Sequence, residues 1–155
     1  RVTRYFNAQS LIQGIGGAVF NESTFDESIE FEPDIVIVAY GTNDWNSYAT
    51  LKEGKEHCDK FLDCVMKKYG AKKVFGISPL WRSDSDMERR MGGFWQWVWH
   101  VKEEIQKHGL ILIDGEKMVP HLPEFFTDGL HPNAVGFGIY AQNLIMEMEK
   151  HRRKE

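Results

Sequence analysis

The stretch PDIVIVAYGTND, residues 33–44, decides the fold of this chain. Its centre, Ile35 to Val38, is an unbroken β-branched run, the pattern of a strand buried on both faces of a parallel sheet. The backbone turns sharply after it, which sets Asn43 at the strand's carboxyl edge. A side-chain amide there can donate to a developing oxyanion, although Thr42, Asn43 and Asp44 are also ordinary turn residues.

Working outward from this strand, KKVFGISP and LILID (110–114) read as further strands and AQSLIQ (8–13) as a short one running into the glycine cluster GIGG. Residues 1–7 look like the end of a helix. Helical spacing through Phe61, Leu62, Val65 and Met66 predicts a helix from Thr50 to a C-cap at Gly70. A second helix is expected over 85–109, weakened or kinked at Gly92-Gly93, and a closing helix from Asn133 onward. Strands alternating with helices predict one domain over residues 1–155, a three-layer α/β/α sandwich around a parallel sheet. Reactive residues in such a sheet sit at the carboxyl ends of strands, here the loops that begin at Gly14, Gly41, Ser78 and Gly115.

Composition narrows the field. A net charge of −4 and a pI near 5.9 argue against a nucleic-acid surface, and the single basic run, KHRRKE, reads as a solvated helix end. No apolar run reaches the roughly 18–20 residues of a membrane span. Cys58 and Cys64 stand about 9 Å apart along one helix and face different ways, so they do not pair. The compartment stays open.

DGLHP, residues 128–132, supplies a carboxylate three residues ahead of a histidine. Asp128 can accept from one ring nitrogen of His131 and leave the other as a base, and Asn133 can cap the helix that follows. A turn aspartate and a packed histidine are the plainer alternatives. No metal is implied, since one His and one Asp are too few and His121, ten residues away, is only a loose candidate. No cofactor is implied either, because GIGG lacks the spacing of a dinucleotide loop.

Taken in order, GIGG, GTND and DGLHP resemble the SGNH hydrolases, also called GDSL-like esterases. The resemblance implies a flavodoxin-like SGNH hydrolase fold and ester hydrolysis through an acyl-enzyme. It makes Gly17 the backbone oxyanion donor, with Gly16 as the fallback, Asn43 the side-chain donor, His131 the general base and Asp128 its orienting acid. The family's first block, a GDS carrying the nucleophilic serine after the first central strand, is missing. Ser78 sits at a strand's carboxyl end but lacks a glycine-flanked elbow, so it reads as pocket wall.

The resemblance places the missing strand between the one leading into GIGG and the one leading into GTND. Its removal leaves a gap of about 9–10 Å, with unpaired backbone groups costing about 1–3 kcal/mol each. The sequence therefore reads as a portion of a longer hydrolase, its first strand cut away or supplied by a preceding domain or a second chain, and nearly inactive alone. Trp45 and Trp81 are expected to wall a pocket sized for a small acyl group. Of the stripes in FWQWVWHV, Trp95 with Trp99 and Phe94 with Trp97 and Val101, one is expected in the core. The other either joins it or faces a sugar ring or neighbouring domain. An acetyl esterase acting on a carbohydrate or small-molecule ester is the leading reading. An inactive binding domain of the same fold, a lipase, lysophospholipase or thioesterase of the family, and a flavodoxin-like nucleotide-binding domain are the rivals.

Overall fold

A computed structural model describes residues 1–152. Its strands are β1 (Ile35–Ala39), β2 (Lys73–Ile77), the short pair β3 (Glu88–Arg89) and β4 (Gly92–Gly93), and β5 (Ile111–Ile113). Its helices are α1 (Val2–Tyr5), α2 (Asp44–Ser47), α3 (Leu51–Tyr69), α4 (Phe94–Lys107) and α5 (Ala134–Arg152). The main sheet is parallel in the order β1-β2-β5, with Ile35 opposite Lys73 and Phe75 opposite Ile111.

Alternation along β2 builds the three layers. Val74 points with Val36, Val38 and Leu112 into the core made by Phe61, Leu62 and Val65 of α3 and Trp97, Val101 and Ile105 of α4. Phe75 and Ile77 point the other way and meet Ile113, with Leu144 and Met148 of α5 and Val2 of α1. Each such large side chain contributes about 1.5–3 kcal/mol by leaving water. The helix α3 begins as its sequence dictates: Thr50 accepts from the Glu53 N–H at 3.1 Å, and Glu53 reaches back to the Ala49 N–H at 2.9 Å. Gly70 caps it, donating to the Met66 carbonyl at 2.8 Å, in a right-handed rather than left-handed conformation. Both cysteines are free.

Three expectations are corrected. Ile35 and Ile37 are 41% and 40% exposed while Val38 is buried, so β1 is covered on one face only. The reason is geometric: α1 and α5 lie over β2 and β5, and β1 takes no strand on its outer edge among the described residues. Residues 8–13 form no strand and are exposed, Ile12 by 84%, because an isolated extended segment without a ladder partner gains nothing from strand geometry. The second helix starts at Phe94, not at 85, since Gly92 turns into the left-handed region at φ 95° and pairs back with Arg89 as a hairpin. Of the run KHRRKE, residues 150–152 continue α5 and 153–155 lie outside the described residues. No helix among the described residues is long and apolar enough to cross a membrane.

Candidate active site

The loop after β1 is tied to the segment after GIGG by two adjacent side chains. Asn43 donates from Nδ2 to the Ala18 carbonyl at 3.0 Å, which fixes the amide and leaves its second N–H uncommitted. Asp44, fully buried, accepts the Phe20 N–H at Oδ1 at 2.9 Å. Tyr48 donates to the carbonyl of the same Phe20, and Trp97 Nε1 donates to the Gly41 carbonyl at 2.7 Å. Asp44 Oδ2 has no partner among the described residues, and burial raises this carboxyl to about 6, against backbone hydrogen bonds led by that of Phe20. Gly17 sits at φ 79° on an exposed turn closed by the Ala18 N–H and the Ile15 carbonyl at 3.1 Å. Its N–H has no partner among the described residues, and Gly16 is equally exposed.

The DGLHP loop forms the second half. Asp128 Oδ1 accepts the backbone N–H of His131 at 2.8 Å and of Leu130 at 3.0 Å, while Oδ2 takes the His131 ring at Nδ1 at 2.8 Å. These three bonds, the His131 N–H foremost, hold the Asp128 carboxyl well below the usual carboxylate range. With the carboxylate ionised, Nδ1 carries the proton and Nε2 is the free basic nitrogen. The ring is 71% exposed, so the pair orients the base and adds little to stability. Asn133 Oδ1 caps α5 by accepting from Val135 and Gly136, both at 3.0 Å. Gly129, at φ 78°, packs so closely on Ser83 that a Cβ would collide with its Oγ, and its carbonyl accepts the Ser83 N–H at 2.8 Å.

A cleft of about 150 Å³ opens at the carboxyl ends of β1 and β2, lined by residues that include Gly14, Ala18, Ala39, Asn43, Ser78 and Tyr140. It lies on the uncovered face of β1. Neither Gly17 nor the Asp128–His131 pair lines it, so the structure joins Asn43 to the segment after GIGG, and Asp128 to His131, but not one half to the other within the cleft. Ser78 is wall as expected, its Oγ 2.9 Å from the Gly115 N–H it accepts and the residue only 2% exposed.

Trp45 and Trp81 do not wall this cleft. Trp45 is fully buried, donates to the Gly92 carbonyl at 2.8 Å, and has Arg82 and Arg89 over its ring at 5.0 and 4.7 Å. Trp81 packs on Phe126 at 5.2 Å. Sequence reasoning missed Arg82, which is buried and joins Asp84 to the Thr42 carbonyl at 3.1 Å, thereby bracing the Asn43 loop. The alternating charges of WRSDSDMERR were the available signal. The expected core stripe is borne out by Phe94, Trp97 and Val101, all buried, whereas Trp99 is 59% exposed.

Among the described residues, His121 belongs to no cluster of three potential metal ligands. Asp59, Asp63 and His108 do converge, with ligand atoms within 4.8 Å of one another, but they lie on α3 and after α4, and Lys107 already reaches Asp59 at 2.6 Å. Lys107 also reaches Glu104 at 3.0 Å, and His108 Nε2 lies 3.1 Å from Asp63.

Residues 1–139 match the model of the GDSL-like lipase/acylhydrolase family. No curated protein sequence matches the chain. Among solved structures, a protein from Lactobacillus plantarum superimposes with TM-score 0.78 at 15% identity, covering 96% of this chain and 85% of its own. A "possible lipase" from Chitinophaga pinensis gives 0.78 at 15%, covering 97% and 87%. An acetyl-xylooligosaccharide esterase from Geobacillus Stearmophilus gives 0.57 at 19%, covering 75% of this chain and 59% of its own. The chain thus spans less than two thirds of several structures it matches. The three-layer fold, the order of GIGG, GTND and DGLHP along it and the match over residues 1–139 lead to one conclusion: this chain belongs to the GDSL-like lipase/acylhydrolase family.

Proposed function

We propose that this chain is the rear portion of a serine esterase that removes short acyl groups, acetyl foremost, from a carbohydrate or small-molecule ester. The observation that carries the reading is the His131 ring held by Asp128 at 2.8 Å, with no partner at its other nitrogen among the described residues. A binding domain has no use for a tautomer fixed in this way. The likeness to an acetyl-xylooligosaccharide esterase supports the acetyl and sugar parts of the proposal.

The serine belongs to a strand seated against the free edge of β1, from a preceding segment or a second chain. Its hydroxyl attacks the ester carbonyl while His131 Nε2 takes the proton. The tetrahedral oxyanion is held by the Gly17 N–H and the uncommitted N–H of Asn43. Collapse breaks the bond to the alcohol, which leaves with the proton from His131, and water then hydrolyses the acyl-enzyme by the same steps. Each oxyanion donor is worth about 10²–10³ in rate.

One observation favours a second reading, a binding domain of the same fold: the cleft contains neither the Asp128–His131 pair nor a free serine. A fluorophosphonate probe separates the two. The esterase reading expects one label on a serine of the parent protein outside residues 1–155 and none on the isolated chain. A parent protein that folds and takes no label decides for the binding domain.

A further inference from the structure

The cleft leaves the two halves of the candidate site apart, yet three consecutive residues after β2 tie them together. Arg82 holds the GTND loop on either side of Asn43: its Nη1 donates to the Thr42 carbonyl at 3.1 Å, and its guanidinium lies over the Trp45 ring at 5.0 Å. The neighbours of Arg82 reach the other loop. The Ser83 N–H donates to the Gly129 carbonyl at 2.8 Å, and only a residue without a Cβ at 129 leaves room for the Ser83 side chain. The Trp81 ring meets that of Phe126 at 5.2 Å, and the Phe126 backbone bridges Pro132, the residue after His131. Contacts along residues 81–83 thus alternate between the segment that carries His131 and the loop that carries Asn43. Arg82 is itself fixed. It is 4% exposed, lies over Phe94 at 5.7 Å, and donates from Nε and Nη2 to the two oxygens of Asp84, which also accepts from Arg89 at 2.7 Å.

We propose that Arg82 is a positioning residue: with Trp81 and Ser83 as its anchors on the other loop, it sets the distance and angle between the Asn43 amide and the His131 ring. The proposal rests on the esterase reading, in which Asn43 meets the oxyanion and His131 Nε2 the attacking hydroxyl. Those two groups must converge on one carbonyl, and a misplacement of about 1 Å in such a constellation costs up to about a hundredfold in rate. Burying a charge brings little net stability over an apolar residue of like size. A planar guanidinium with all three nitrogens engaged supplies direction instead, since its fork fixes both partners in one geometry. A lysine ammonium, a point charge on a flexible stem, cannot hold Asp84 by two bonds and the Thr42 carbonyl by a third in the same plane.

The test is hydrolysis of p-nitrophenyl acetate by the parent protein, run below the thermal midpoint of every variant. Arg82→Lys should lower kcat about 10–100-fold and leave KM within about twofold. In an Asn43→Ala background the same substitution should cost nothing further, because Arg82 acts through Asn43. Trp81→Leu alters a half-buried residue on the other side and acts through His131. It should therefore lower kcat about tenfold in both backgrounds, and it carries the test should Arg82→Lys fail to fold. Arg82→Lys with kcat unchanged, or with an equal loss in the Asn43→Ala background, overturns the assignment, as does Trp81→Leu with kcat intact. A folded parent that hydrolyses no ester overturns the esterase reading and the positioning role with it. An active parent indifferent to Arg82→Lys overturns the positioning role alone.

Discussion

Asp44 accepts the backbone N–H of Phe20 at 2.9 Å from a position twenty-four residues further along the chain. Next to it, Asn43 donates to the Ala18 carbonyl, so consecutive side chains clamp the loop after β1 to the segment after GIGG. The clamp has an electrostatic cost, because the second oxygen of Asp44 is buried without a partner among the described residues.

That cost sets a pH dependence. The folded-state pKa of Asp44 is raised from 3.8 to about 6, so the native state binds more protons and stability falls as pH rises through that window. The difference corresponds to ~3 kcal/mol in all, of which ~1 kcal/mol falls between pH 5 and 7. The other shifted carboxyls, Glu22, Asp26, Asp59, Asp84, Asp114 and Asp128, are all lowered and act at more acidic pH. His100, lowered from 6.5 by burial, acts in the opposite sense over the same range, so urea midpoints should rise more steeply from pH 5 to 7 in Asp44→Asn than in the unaltered chain; equal slopes would remove the buried charge from the account.

Gly129 makes the DGLHP loop sensitive to a single methyl group. Alanine there meets both an unfavourable left-handed backbone, about 1–2 kcal/mol, and the Ser83 side chain. Gly129→Ala should lower the thermal midpoint by about 5 °C or more. Adding Ser83→Gly should recover the steric part only. Complete recovery would show that the backbone angle costs nothing.

Asp128 separates orientation from stability. Under the proposed function, Asp128→Asn should cut kcat for ester hydrolysis by roughly 10²–10⁴, by loss of the correct tautomer. The urea midpoint near neutral pH should scarcely move, since the pair is exposed. Because the carboxyl is held low, whatever stability it adds is present above its unfolded value near 3.8 and disappears as pH falls. A large stability loss with kcat intact would recast Asp128 as a turn residue.

Much of this architecture was legible because it is local. The β-branched run at 35–38, the spacing through Phe61 to Met66, and Asn133 ahead of the last helix are each decided within a few residues. The pairing of Asp128 with His131 was legible for the same reason. What failed depends on distant partners. AQSLIQ has strand composition but no ladder, and the bare face of β1 reflects where α5 stops across the sheet. Trp45 reads as a pocket wall by position, yet Arg82 and Gly92, both far along the chain, draw it into the core. Gly92-Gly93 was visible as a weak point, but that it forms a hairpin edge and not a kink is set by pairing with Arg89.

The central claim is that His131 is the base of an esterase, and hydrolysis of p-nitrophenyl acetate by the parent protein tests it most directly. The account predicts turnover that falls by about 10³-fold or more in a folded His131→Ala variant. Turnover that survives the substitution, or a well-folded parent inert across short and long acyl chains, would contradict it.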